Sequence, residues 1–315
     1  MRSIIVKPPI QMPTTGNGKQ TLGYARVSSN TAGYGNLTPF YIGLTDINGT
    51  SHHFEVSNET FAAIEQRRMA LLLEKTEFLY LWIETENNGS VLNWALFKSP
   101  LTLSQIDPIF AASYDFAAFL HLFELTESIQ LIPLRLFMRE LLGETALMTL
   151  FVSLPASRRH HHSFPGGLLA HSIECALLTR QTVQSLTEIS QNEAEVAMVA
   201  ALLHDIGKLK TLGYDKHTSL GRLIDHEQFT LALLAPALEK LRNCWEQCAD
   251  ALQYLLIWKE SMGVCRFVSG NAIKMADRLS TAASLNSMAF KDKPDYFHFA
   301  QLQIGSHMHY LNRLN

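Results

Sequence analysis

Between Phe97 and Ser104 the sequence changes its period, and that change limits the chain to two successive kinds of packing. From Gly23 to Phe97, short apolar runs are broken by turn signals. Strand-like segments flank "DINGT" and "ENNGS", where Asn-Gly takes the positive φ values that tight turns require. Between the two hairpins, "NETFAAIEQRRMALLLE" carries helical spacing, with Asn58 as its N-cap. After "FKSPLTLSQIDP", apolar residues recur at i, i+3, i+4 and i+7 over residues 104–128, 131–152, 166–186, 192–204, 219–242, 245–262 and 270–287. The expected fold is therefore α+β: a flexible arm at 1–22, a small β-rich domain at 23–100 and an all-α domain at 101–315.

Composition adds exclusions. With 47% apolar and 17% charged residues in 315, the chain has the balance of a globular protein with room for two domains. Its 26 basic and 29 acidic residues leave a formal charge of −3, so no global field recruits nucleic acid or an anionic membrane. Any polyanion site must be a local basic pocket. Apolar runs such as "LLIW" fall far short of the roughly 18 residues of a membrane span, and "MRSIIVKPPIQMP" lacks a long signal-peptide core. The chain is read as cytoplasmic, with no membrane partner. Four cysteines, Cys175, Cys244, Cys248 and Cys265, show no CxxC spacing and are expected to be reduced and mostly buried. A GxxxxGK[ST] loop is absent, so this chain is not expected to be a nucleotide-driven motor.

The chemistry concentrates in "AALLHDIGKLKTLG", where an apolar helical run ends in adjacent His204 and Asp205, with Lys208 close by. Adjacent helical residues diverge by about 100°, so both can reach one ion only from a helix end or from opposite sides of it. Upstream, "HHHSFPGGLLAHS" leads into a helix whose face includes His171 and Cys175. Downstream, Asp277 lies on the apolar face of "NAIKMADRLSTAAS". A carboxylate among apolar residues must find a partner. One metal held by His171, His204, Asp205 and Asp277 would satisfy all four.

This H…HD…D pattern resembles the HD-domain metal-dependent phosphohydrolase superfamily, over about residues 150 to 290. "LPASRRHHHSFPGGLLAHSIECA" looks like the HD-domain entry of TraI-type (MOBH) conjugative relaxases. It is also similar to YhaM-like 3′→5′ exoribonucleases, which carry HH, GGLLEH and HDIGK behind an N-terminal OB-fold. The resemblance implies His171, His204, Asp205 and Asp277 as metal ligands, Lys208 as a phosphate contact and an OB-like N-terminal module. It further implies cleavage of a nucleic-acid phosphodiester, in single-stranded DNA or RNA. Conjugative relatives would bring accessory proteins of conjugation or integrative elements. In exonuclease-like relatives a further histidine pair near "YLLIWKESMG" helps to hold a second metal; here Trp258, Lys259 and Glu260 stand instead. His226, which matches the histidine following HD, and His161 or His162 are left to supply that imidazole. One or two ions are thus expected.

Imidazole and carboxylate ligands suit Mn²⁺, Fe²⁺, Co²⁺, Ni²⁺ or Zn²⁺ alike. Such an ion lowers the pKa of water toward roughly 7 and polarises a phosphoryl oxygen. Lys208, Arg158, Arg159 or Arg278 would neutralise charge on the phosphate. Two further readings use the same residues: a nucleotide phosphohydrolase, and a non-catalytic HD scaffold in DNA processing.

Overall fold

The Asn-Gly turns set the register of the first sheet. In a computed structural model describing residues 19–26, 40–72, 78–158 and 160–314, β2 (Phe40–Thr45) and β3 (Ser51–Val56) pair antiparallel, with Thr45 opposite Ser51. Asp46 Oδ1 accepts the amides of Asn48 and Thr50 inside the turn, both at 2.9 Å. β4 (Phe78–Thr85) and β5 (Val91–Ser99) close across "ENNGS" in the same way, with Asn88 Oδ1 accepting the Ser90 amide at 2.8 Å. β1 (Lys19–Arg26) joins them in the order β3-β2-β1-β4-β5, all antiparallel. The edge strands β3 and β5 also approach one another, as in a partly open five-stranded barrel.

Helix α1 (Asn58–Leu72) links β3 to β4 and inserts Ile64 among Ile42, Leu44, Leu81, Ile83 and Leu96. Its cap is Ser57 rather than Asn58: the Ser57 hydroxyl accepts the Thr60 amide at 3.1 Å. Most of the arm expected at 1–22 lies outside the described residues, while Lys19–Leu22 belong to β1. Contacts divide the chain into two compact units between Ala111 and Ala112, so α2 (Leu103–Ala112), which opens the helical sequence, falls almost wholly in the first unit.

The second unit is a helical bundle. The expected helix at 104–128 is interrupted after α2, because Asp115 caps a new helix, α3 (Phe116–Ser128), by accepting the Ala118 amide at 3.0 Å. α4 (Ile132–Gly143), α5 (Thr145–Ser153), α6 (Gly167–Gln184), α7 (Gln191–Leu203) and the one-turn α8 (Lys208–Thr211) follow. They are succeeded by α9 (Glu227–Cys244), α10 (Glu246–Ile257) and α11 (Val268–Phe290). Every residue of α7 from Ala194 to Leu203 is buried, so this helix is surrounded, packing against α6, α10 and α11.

The carboxy-terminal part corrects the all-α expectation for 101–315. "FAQLQIGSHMHYLN" alternates at period two about Gly305-Ser306 and forms a hairpin, β6 (Phe299–Ile304) with β7 (His307–Asn312). Its inner face, Ala300, Leu302 and Leu311, packs on Ala289 and Phe290 of α11. Among the described residues no helix is long and apolar enough to cross a membrane. The cysteines are free thiols; Cys175, Cys248 and Cys265 are buried and Cys244 is exposed.

One buried carboxylate ties α7 to the bundle. Glu195 accepts the amides of Gln130 and Leu131 at 3.0 and 2.9 Å, holding the chain where it enters α4. Glu195→Ala removes the charged acceptor that both part-buried amides share and lowers unfolding free energy by about 1–3 kcal/mol. Urea denaturation checks this, with Glu195→Gln expected to lose less because one acceptor oxygen remains.

Candidate metal centre

Three helices aim their polar residues at one point. α7 ends at His204, its C-cap, and the following turn carries Asp205. α6 contributes His171, fully buried, and α11 contributes Asp277. His171 Nε2 lies 3.3 Å from Asp277 Oδ1 and 3.6 Å from Asp205 Oδ2. His204 Nε2 lies 3.5 Å from Asp205 Oδ2 and 3.9 Å from Asp277 Oδ1. The four residues read from the motif are therefore brought together.

The outer nitrogens of both imidazoles are already engaged. His204 Nδ1 donates to the Ala201 carbonyl oxygen at 2.7 Å. His171 Nδ1 is 2.9 Å from Ser280 Oγ, and Ser280 donates its own proton to Glu174 Oε2 at 2.7 Å. Because Ser280 has only one proton, it accepts from His171. Each imidazole, when neutral, thus turns an Nε2 lone pair toward the carboxylates. His204 Nε2 is buried without a hydrogen-bond partner. Lone pairs facing carboxylate oxygens repel unless a cation lies between them, so the donor set fits a divalent ion.

Electrostatics reinforce that reading. Burial holds the His204 imidazole below its ordinary pKa. Burial pushes the Asp205 carboxyl upward, but Lys208, His204, His226 and His171 together outweigh it and hold the group well below the usual range. Asp277 is likewise lowered, the His171 contact and His204 overcoming its burial.

Lys208 Nζ is 2.5 Å from Asp205 Oδ2, and His226 Nε2 is 3.0 Å from Asp205 Oδ1. The two Asp205 oxygens thus face different neighbours. The chain approaches closely where this happens: a Cβ on Gly207 would lie 1.9 Å from the His226 carbonyl oxygen. The proline-glycine turn acts similarly upstream, since a Cβ on Gly167 would lie 2.1 Å from the His162 carbonyl oxygen.

His161 and His162 stand over His171, with ring centroids 5.0 and 5.3 Å from it. Burial, with His171 and Lys208 nearby, pushes the His161 pKa down to about 4. His162 is buried at φ +46° and places Nε2 3.3 Å from Glu174 Oε2. His160 is exposed. Arg158 lines a neighbouring cavity and donates to the Tyr214 carbonyl oxygen at 3.3 Å; Arg159 lies outside the described residues. Arg278 corrects the expectation of a phosphate contact, being exposed and paired to Glu260 at 2.5 Å.

Three further residues adjoin the cluster, and the motif gives none of them a role. Cys175 falls within 4.8 Å of ligand atoms of His171, His204 and Asp277, and its thiol is pushed up by burial, so it stands as a protonated filler. Its i+4 spacing from His171 was visible. Glu174 and Ser280 had no signal of their own, because their role depends on the contact between α6 and α11.

Two cavities open beside the cluster. The smaller, about 190 Å³, is lined by His161, His204, Asp205, Asp277, Trp258 and Lys259 among others. The larger, about 650 Å³, runs from Ala156–Arg158 to the segment 216–226. Lys208 and His226 line both.

Comparison with known proteins leads to the same two groups. Residues 134–213, which contain His171, His204, Asp205 and Lys208, match the family TraI_2, described as "Putative helicase". Over 110 residues the chain is 26% identical to the 3'-5' exoribonuclease YhaM of Bacillus licheniformis and 27% identical to that of Bacillus subtilis. Each alignment covers 34% of this chain and 34% of the relative, so the match spans about a third of these curated proteins. No solved structure matches at comparable significance. The segment is of the HD type, TraI- and YhaM-like, as its motifs indicated.

Ser280→Ala removes the acceptor that orients His171 and is expected to weaken Mn²⁺ affinity about 10–100-fold while the fold persists. Calorimetric titration measures it; unchanged affinity would show that Ser280 does not orient the imidazole.

Proposed function

We propose that the protein is a metal-dependent phosphohydrolase that cleaves phosphodiester bonds in nucleic acid, nuclease- or relaxase-like, in the cytoplasm. The observation that carries this reading is the pair of inward Nε2 atoms of His171 and His204, each fixed by an occupied Nδ1 and facing two carboxylates. His171, His204, Asp205 and Asp277 would hold a divalent transition ion, Mn, Fe, Co, Ni or Zn. When bound, it supplies Lewis acidity and lowers the pKa of water. His226, on the far oxygen of Asp205, and His161 or His162, over His171, would serve a second ion.

The protein's own groups account for the rest. Lys208 neutralises Asp205 and faces both cavities, so its ammonium meets an entering phosphate. Arg158 reaches the same phosphate path from the larger cavity, and Arg159 adjoins it in sequence. Asp205 and Asp277 stay ionised through neutral pH, which keeps the donor set intact. The names of the YhaM relatives, exoribonucleases, support a nucleic-acid substrate; single-stranded RNA or DNA is the form read from the motifs. The five-stranded module is read as OB-like, a fold suited to presenting such a strand. Accessory proteins of conjugation would follow from the TraI-like match.

His204→Ala and Asp205→Ala are expected to reduce hydrolysis of bis-p-nitrophenyl phosphate by at least about 10³-fold, several kcal/mol of lost stabilisation, with circular dichroism unchanged. Folded wild-type protein that holds metal but turns over neither this ester nor any oligonucleotide would instead mark a non-catalytic scaffold.

A further inference from the structure

We propose that the larger cavity is a binding track, with Lys216 and Arg222 as its phosphate contacts, that leads a single polynucleotide strand to the metal centre. The inference rests on the nucleic-acid reading above and assigns it a binding site outside the metal cluster. The cavity, about 650 Å³, has the size of a ligand site. Arg158, Lys208, Lys216 and Arg222 line it against one carboxylate, Asp225, although the chain as a whole is acidic. Among the described residues, Arg158, Lys216 and Arg222 have no ion-pair partner. Cations left unneutralised in a concave wall focus potential on whatever enters, and the matching ligand is a polyanion.

The wall is held in shape. Arg158 donates to the Tyr214 carbonyl oxygen, Gly213 N–H donates to the Lys216 carbonyl oxygen at 2.9 Å, and Thr218 N–H donates to the Thr211 carbonyl oxygen at 3.0 Å. The Thr218 hydroxyl then donates to the Lys210 carbonyl oxygen at 2.6 Å while accepting the Gly221 amide at 3.0 Å. Lys216 and Arg222 therefore project from a braced segment. Leu212 and Ile224 add apolar surface, which suits bases as the cations suit phosphates.

Continuity with the metal centre favours a strand that leads to it. Lys208 and His226 belong to both cavities, so a phosphate beside Asp205 stands at the end of the cationic track. A phosphate beside Asp205 meets Lys208, while Lys216 and Arg222 line the same cavity on the segment 216–226 and are available to further phosphates. A chain of phosphates meets all of them. The reacting groups lie in a recess of about 190 Å³, which admits a strand freed from its complement.

The test is equilibrium binding of a fluorescent, phosphorothioate-linked single-stranded dodecamer to the full, Mn²⁺-loaded chain, followed by anisotropy across a salt series. Lys216→Ala/Arg222→Ala is expected to bind at least about tenfold more weakly. Its salt slope should be shallower by about 1.4, since each single-strand phosphate contact contributes roughly 0.7. The charge-conserving Lys216→Arg/Arg222→Lys variant should restore binding, and Lys240→Ala, a surface cation paired with Glu140, should leave it unchanged. Wild-type affinity in the double alanine variant, or equal loss in Lys240→Ala, overturns the track. Displacement of the dodecamer by a nucleoside triphosphate as readily as by unlabelled dodecamer overturns the strand in favour of a nucleotide. Wild-type turnover of bis-p-nitrophenyl phosphate is read separately: its absence with intact strand binding sinks hydrolysis and keeps the track.

Discussion

A carboxylate buried beside imidazoles is an arrangement that water-soluble cores avoid, because removing the charge from water costs several kcal/mol unless partners repay it. Asp205 is such a group, only 5% exposed. It is stabilised by Lys208 on one oxygen and His226 on the other, with His171 and His204 nearby. Much of the second unit follows from this one requirement. α7 must end where it does to deliver His204 and Asp205 together. Gly207 must lack a side chain so that His226 can approach, and α6 and α11 must pack closely enough for Ser280 to bridge His171 and Glu174.

That construction separates support from reaction. Glu195, Ser280 and Glu174 act through other residues: they fix where helices and rings stand. The groups turned inward, by contrast, are left with unsatisfied bonding capacity, above all His204 Nε2. A folded protein rarely leaves a buried polar atom without a partner unless that atom has work elsewhere. The cationic cavity follows the same logic on a larger scale, with Lys216 and Arg222 held by a braced segment and not neutralised from within.

Much of this was legible in the chain. The two Asn-Gly hairpins, the buried run of α7 and the four H…HD…D residues all rest on local patterns, and the structure brings those four together. What escaped reading depended on contacts distant in sequence or on patterns overlooked. Ser280 and Glu174 become meaningful only once α6 and α11 touch. Asp115 interrupts an otherwise continuous apolar period because its side chain offers a better local partner to the Ala118 amide. The β6–β7 hairpin did carry a signal, period-two alternation about Gly305-Ser306, which the long helical texture before it obscured. Arg278, the arginine nearest to Asp277 in sequence, points outward to Glu260 because neighbouring helical positions face different ways.

The central claim is that His171, His204, Asp205 and Asp277 surround a cation. Elemental mass spectrometry of the untagged protein, beside a His204→Ala/Asp205→Ala variant, tests it most directly. The account predicts one or two transition ions per wild-type chain, lost in the folded variant. A wild-type chain that holds none after reloading with Mn²⁺ or Fe²⁺, or a variant that retains the full complement, would contradict it.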